Sequence, residues 1–315
     1  MKKCLFTLLL VLVSLRTGAQ ESQTAYNFLR LPASAHAAAL GGDNITLIED
    51  DAALTLHNPA LLSSVSDRTL MLGYMNYFSG ASVATAAFTK VVGERSTVAA
   101  TARYIGYGTM KEVDEWGTQT GTFSPKDIDI AAHFAYLLSD RLAGGISARF
   151  ITSYIGSYNS IAAAIDLGIN YFDEDKDWSV SLVAKNLGGQ LKTYDEERER
   201  MPIDVQAGVT HKFPNMPFRL SLTFVNLNHL NYRFADHCVV GADLLLSDRI
   251  YLAGGYNFRR NREMKVTTGE GEESSHGAGL SMGAGLTLEK WKLHVAYGKY
   301  HVSSHSLLLN LAFTL

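Results

Sequence analysis

Residues 127–136 read DIDIAAHFAY, and the two-residue alternation of this stretch decides the fold. Ile128, Ile130, Ala132, Phe134 and Tyr136 fall on one side of an extended chain, Asp127, Asp129, Ala131 and His133 on the other. Successive side chains of a strand point to opposite faces, so this period marks β-structure with two unlike faces. The pattern returns at 161–171 (IAAAIDLGINY), at 290–297 (KWKLHVAY) and at 305–315 (HSLLLNLAFTL). A soluble sandwich would show water the polar face, and a solvated face is normally rich in Lys and Glu. Here that face carries Gly, Ala, Ser and Asn instead. Such a face suits a crowded, polar lumen, with the large residues turned to lipid.

Working outward, the same alternation predicts fourteen strands near 68–78, 81–90, 95–105, 126–138, 141–154, 159–171, 178–189, 203–213, 218–227, 237–246, 249–258, 276–288, 290–300 and 305–315. Each is close to the ~9–11 residues a tilted membrane-spanning strand needs. The connections sort by parity. The even-numbered ones are short, at 91–94, 139–140, 172–177, 214–217, 247–248 and 289, and the long ones at 106–125, 190–202, 228–236 and 259–275 are all odd. Outer-membrane barrels have short periplasmic turns and long extracellular loops. Hydrocarbon offers main-chain amides no partner, so a spanning sheet must close on itself. The expectation is an all-β, fourteen-stranded antiparallel transmembrane β-barrel. Tyr74, Tyr77, Phe78, Tyr171, Trp178, Tyr297 and Tyr300 lie near strand ends as expected girdle residues.

Composition agrees. Of 315 residues only 19% are charged, against about 25% in soluble domains, while Gly reaches 27. With 28 Lys+Arg against 31 Asp+Glu the chain lacks the basic footprint of a nucleic-acid binder. Lys2 and Lys3, an apolar run over 4–15 and the small residues Thr17-Gly18-Ala19 predict a signal peptide at 1–19, hence export to the outer membrane. Beyond it no run approaches the ~18–20 apolar residues of a spanning helix. Residues 20–67 break the alternation and are expected to form a plug, or hatch, ahead of the barrel at 68–315.

The run SAHAAALGGDNITLIEDDAALTLHNPALL at 34–62, with Asn58-Pro59 as its motif, resembles the hatch of the long-chain fatty-acid transporter (FadL) superfamily. More narrowly, YNFLRLPASAHAAALGG at 26–42, KNLGGQLKTYDEERERMP at 185–202 and KYHVSSHSLLLNLAFTL at 299–315 resemble the PorQ family of the Bacteroidetes type IX secretion system. The resemblance covers essentially the whole mature chain. It implies an outer-membrane component of the attachment complex. That complex processes secreted cargo and attaches it to anionic lipopolysaccharide. Its implied partners are a PorZ-like surface protein, with PorU- and PorV-like components alongside. The alternative it implies is a FadL-like transporter of hydrophobic small molecules.

The long loops concentrate mixed charge, and mixed-sign patches orient a partner. Trp116, alone in a polar loop, is the expected anchor, since Trp is enriched at interface hot spots. Glu197, Arg198, Arg200 and Arg260 are the expected charged contacts. No cofactor, metal site or catalytic residue is expected. His301 and His305 stand four apart, about 13 Å along a strand and too far for one metal ion. Ser303, His301, His305 and Asp236 could be assembled into a hydrolase site only on paper, because no spacing favours them. Gly277-x-Gly279 and Gly283-x-Gly285 have no following helix and are not a dinucleotide motif. They mark places where a strand bends or the plug comes close.

Overall fold

A computed structural model describes residues 24–267, 273–274, 277–302 and 304–315. The expected signal peptide and residues 20–23 lie outside them. Fourteen strands form the wall. They are β1 (Thr69–Asn76), β2 (Ser82–Val92), β3 (Ser96–Gly106), β4 (Lys126–Ser139), β5 (Leu142–Ile155), β6 (Tyr158–Asp173) and β7 (Trp178–Lys192). The series continues with β8 (Asp204–Lys212), β9 (Phe218–Phe224), β10 (Cys238–Ser247), β11 (Ile250–Asn257), β12 (Leu280–Thr287), β13 (Trp291–His301) and β14 (Ser304–Thr314). Each pairs antiparallel with its neighbours in sequence, and β1 pairs with β14 from Thr69↔Thr314 to Asn76↔Leu307. The sheet is a closed fourteen-stranded barrel. Among the described residues no helix is long and apolar enough to cross a membrane.

The alternation read from 127–136 sorts the wall as the two solvents require. On β4, Asp127, Asp129, Ala131, His133 and Ala135 are buried, while Ile130, Phe134 and Tyr136 are exposed. Leu307, Leu309 and Leu311 on β14 are likewise exposed beside buried Ser306, Leu308 and Asn310. The lumen face is therefore small and polar, and the outer face is the apolar band that meets hydrocarbon. Tyr74, Tyr171, Trp178 and Tyr297 stand on that outer face. Tyr77 and Tyr300 do not, since both pack on the N-terminal segment. Their positions one and three residues on from the outward Asn76 and Tyr297 put them on the inner side.

Between β6 and β7 the register shifts at Ile165/Leu167. The displaced Asn186 takes a left-handed conformation (φ 58°), and its main-chain N–H donates to the Asp166 carboxylate at 2.6 Å. This is a β-bulge, which bends the strand and re-aims a side chain. The 107–125 connection carries a hairpin of its own, Met110–Val113 with Gln119–Phe123. The 258–279 connection begins with a short helix, Phe258–Glu263, which the expected loop did not include.

Candidate functional site

Residues 24–66 touch the inner face on strands all round the closed wall, and this places them in the lumen. The short helix α1 (Ala35–Ala39) is capped by the Ser34 hydroxyl, which accepts from Ala37 N–H at 3.2 Å. Asn310 of β14 receives Ala35 N–H and donates to Ala33 C=O at 3.1 Å. Across the barrel, Thr46 meets Thr210 of β8 at 2.6 Å, and Arg103 of β3 donates to Leu31 C=O at 3.2 Å. The approach is closest where the wall has no side chain. A Cβ on Gly255 would lie 2.2 Å from the Leu40 carbonyl carbon, and one on Gly145 would lie 2.3 Å from that of Pro59.

Asn58 and Pro59 hold a buried turn. The Asn58 carboxamide accepts from Ala60 N–H at 2.9 Å and caps the 3₁₀ turn Pro59–Ser64. Such a cap is worth about 1 kcal/mol. Its other end donates to Ile45 C=O at 2.9 Å and to the Ser181 hydroxyl of β7 at 3.2 Å. Proline's fixed φ suits the first helical position, so both residues act as local architecture.

Four charged groups then tie the segment to the wall. His36 Nδ1 lies 2.7 Å from Glu49 and its Nε2 lies 2.7 Å from Asp243 of β10. Arg219 of β9 closes the ring, with Nη2 2.6 Å from Glu49 and Nε 2.8 Å from Asp243. Two carboxylates thus sit between two cations, and Tyr251 stacks on the imidazole at 3.6 Å. Burial opposes the imidazolium, but Glu49 and Asp243 outweigh it and push His36 up to about 9. His57 is the contrast. Burial, then Lys185 and Arg103, hold it well below the ordinary value, and its neutral Nε2 accepts from Ala33 N–H at 3.2 Å. Near the chain's entry, Lys292 of β13 pairs with Asp50 and donates to its carbonyl at 3.0 Å.

The sequence reading missed this ring. Its signal is ionisable residues on the lumen face of spanning strands, which are costly there unless paired. Asp129, Arg149 and Asp166 form a second such cluster, with Arg149 2.9 Å from Asp166 and also paired to Asp129.

The expected docking residues separate. Trp116 is 85% exposed at the tip of the 110–123 hairpin, where Asp114 accepts from Trp116 N–H at 3.0 Å and shapes the turn. Glu197, Arg198 and Arg200 are exposed on the 193–203 connection. Arg198 and Arg200 line a cleft of about 360 Å³ with Thr24 and His229, and Arg200 C=O accepts from Ala25 N–H at 3.0 Å. Arg260 contradicts its expected role and is only 7% exposed. Helix α2 (Phe258–Glu263), capped by Asn257, turns it inward. There its guanidinium donates to Gly41 C=O at 3.1 Å and Ala278 C=O at 2.7 Å and lies 4.4 Å from the Tyr300 ring. Arg260 clamps the N-terminal segment.

The described residues weighed for hydrolysis have other partners. His301 stacks on Phe78 at 4.1 Å, His305 on Tyr297 at 5.3 Å, and Asp236 pairs with Arg262 at 3.0 Å. Ser303 lies outside the described residues. Among the described residues no cluster of His, Cys, Asp or Glu is arranged to hold a metal ion.

No protein-family model matches the sequence, and no curated protein matches it. Solved structures do. The toluene transporter TodX of Pseudomonas putida superposes with a TM-score of 0.59 at 12% identity, covering 90% of this chain and 99% of that one. The monoaromatic hydrocarbon channel CymD gives 0.58 at 14%, covering 92% and 98%. A Pseudomonas aeruginosa FadL homologue gives 0.53 at 10%, covering 89% and 97%. The likeness is one of fold, that of the FadL-like outer-membrane barrels.

Proposed function

We propose that this barrel is a plugged anchor in the outer membrane. On this reading it holds and positions a PorZ-like surface protein within a type IX attachment complex, so that cargo is processed and joined to lipopolysaccharide. The observation that carries the reading is the set of contacts by which residues 24–66 reach separate parts of the inner wall, through His36, Asp50 and Asn58. With the lumen occupied on this reading, the projecting loops are the working surface. The sequence resemblance to the PorQ family supplies the partner's class. Trp116 on its hairpin serves as the apolar anchor, with Glu197, Arg198 and Arg200 as rim charges.

Affinity capture of the tagged barrel in mild detergent tests this. A soluble surface protein resembling PorZ should come down with it, and isolation of the barrel alone overturns the reading. A second reading, passage of hydrophobic small molecules, is favoured by the comparisons, since TodX and CymD are described as a transporter and a channel for such compounds. It requires the segment to move. Flux of toluene into liposomes carrying the purified barrel, above that of empty liposomes, would support it against the anchor.

A further inference from the structure

At the long-loop end of the lumen a cavity of about 200 Å³ lies between the N-terminal segment and the wall. Arg30 and Asp43 reach it from the segment, Lys185, Asn186 and Asp204 from β7 and β8, and helix α2 stands at its side. Two of its cations are committed, Arg259 to Glu263 at 2.5 Å and Arg260 to Gly41 C=O at 3.1 Å. The other two are not. Lys185 is only 7% exposed, yet among the described residues its ammonium makes no ion pair and no hydrogen bond. Its cross-strand neighbour Asp204 accepts instead from Gln206 Nε2 at 2.7 Å and from Asn226 N–H at 2.6 Å. Arg30 stands exposed at the rim and likewise forms no ion pair among the described residues. A buried ammonium is costly unless something compensates it. One acceptor is open as well. Asn186 Nδ2 donates to Pro202 C=O at 2.9 Å, and its buried Oδ1 receives no donor.

We infer that this cavity binds a small hydroxylated carboxylic acid of the sugar-acid class. Lys185 and Arg30 supply charge-assisted donors to the carboxylate. Asn186 Oδ1 and the Asp43 carboxylate, which receives a single long contact from Gln206 at 3.5 Å, accept from the hydroxyls. Asp43 and Asp204 together repel a dianion, which argues against phosphate. A hydrocarbon would leave Lys185 uncompensated, so the site is not one for apolar molecules. Pockets for drug-sized ligands run to about 300–1,000 Å³, and a cavity of about 200 Å³ therefore takes one sugar-sized unit. The long connections are the extracellular ones, so the ligand arrives from outside the cell, as a free sugar acid or as the terminal uronate of a surface polysaccharide. The site stands whether the barrel anchors or transports.

The test is equilibrium dialysis of the purified full barrel in mild detergent against radiolabelled glucuronate. One glucuronate per barrel is expected to bind, with unlabelled glucose and inorganic phosphate each competing at least tenfold more weakly than unlabelled glucuronate. Lys185→Met removes the buried ammonium and should weaken binding at least tenfold. Arg30→Gln lies at the exposed rim, should keep heat-modifiable migration, and should weaken binding severalfold, so it remains informative if the Lys185 variant does not assemble. A tetrauronide that competes as well as the monosaccharide supports the site with a polysaccharide end as its source, and one that does not compete supports it with a free sugar acid. No binding of glucuronate, equal competition by glucose or phosphate, or undiminished binding in the variants that assemble each overturns the proposal.

Discussion

Replacing His36 by Leu removes one cation from a ring of two carboxylates and two cations, so Glu49 and Asp243 share Arg219 alone. Deleting one partner of a buried ion pair typically costs about 3–5 kcal/mol, because the other charge is left uncompensated. At about 1.4 kcal/mol per tenfold change, the released population of the N-terminal segment should rise by roughly two to three and a half orders of magnitude. Limited proteolysis of the purified barrel reads this directly, since cleavage tracks the open population when opening and closing are fast. The variant should be cut within residues 24–66 at a rate raised by about that factor, while the strands stay protected. Adding Glu49→Leu leaves Arg219 and Asp243 as a simple pair and should recover part of the protection. Equal cleavage of wild type and His36→Leu would refute the ring as the element that holds the segment.

The same ring predicts a pH dependence. His36 is raised above its unfolded value of 6.5 to about 9, so its stabilisation is complete below 6.5 and is lost as pH rises through about 9, a loss of about 3 kcal/mol; proteolysis of residues 24–66 should accelerate over that window, and a flat profile would count against it. Gly255→Val places a side chain where a Cβ already lies 2.2 Å from Leu40. It should lower stability by about 1–3 kcal/mol or block assembly, and an unchanged urea midpoint of the folded band would contradict the packing of the lumen. Trp116→Ala should reduce partner capture at least tenfold while shifting stability by no more than about 0.5 kcal/mol, and undiminished capture would remove Trp116 from the docking surface.

The wall was legible because lipid and lumen impose opposite demands on alternate residues, and the pattern repeats in every strand. Element ends were less so. β9 stops at Phe224 and β12 begins at Leu280, where the alternation runs on into apolar or glycine-rich connections. The contacts that hold the segment in place were not legible at all, since His36 and Asp243 are 207 residues apart and meet only through closure and register. Arg260 misled for a local reason. A charged run reads as a solvated loop, but Asn257 starts a helical turn there and swings one of three arginines inward. Tyr77 and Tyr300 show the converse, for proximity to a strand end said less than their parity.

The seam between β1 and β14 carries a consequence for the order of biogenesis. Thr69 pairs with Thr314, and Leu315 N–H reaches Arg68 C=O at 3.2 Å, so the first and last strands complete each other. Until the final residues are synthesised, β1 and β13 each present a bare edge that hydrocarbon cannot satisfy. Closure of the sheet must therefore wait for β14. During that wait residues 24–66 are already present, and His36 and Glu49 can meet Asp243 and Arg219 while the sheet is still open. A barrel lacking β14 leaves β1 and β13 unpaired and should accumulate outside the membrane, with its N-terminal segment protected only in part.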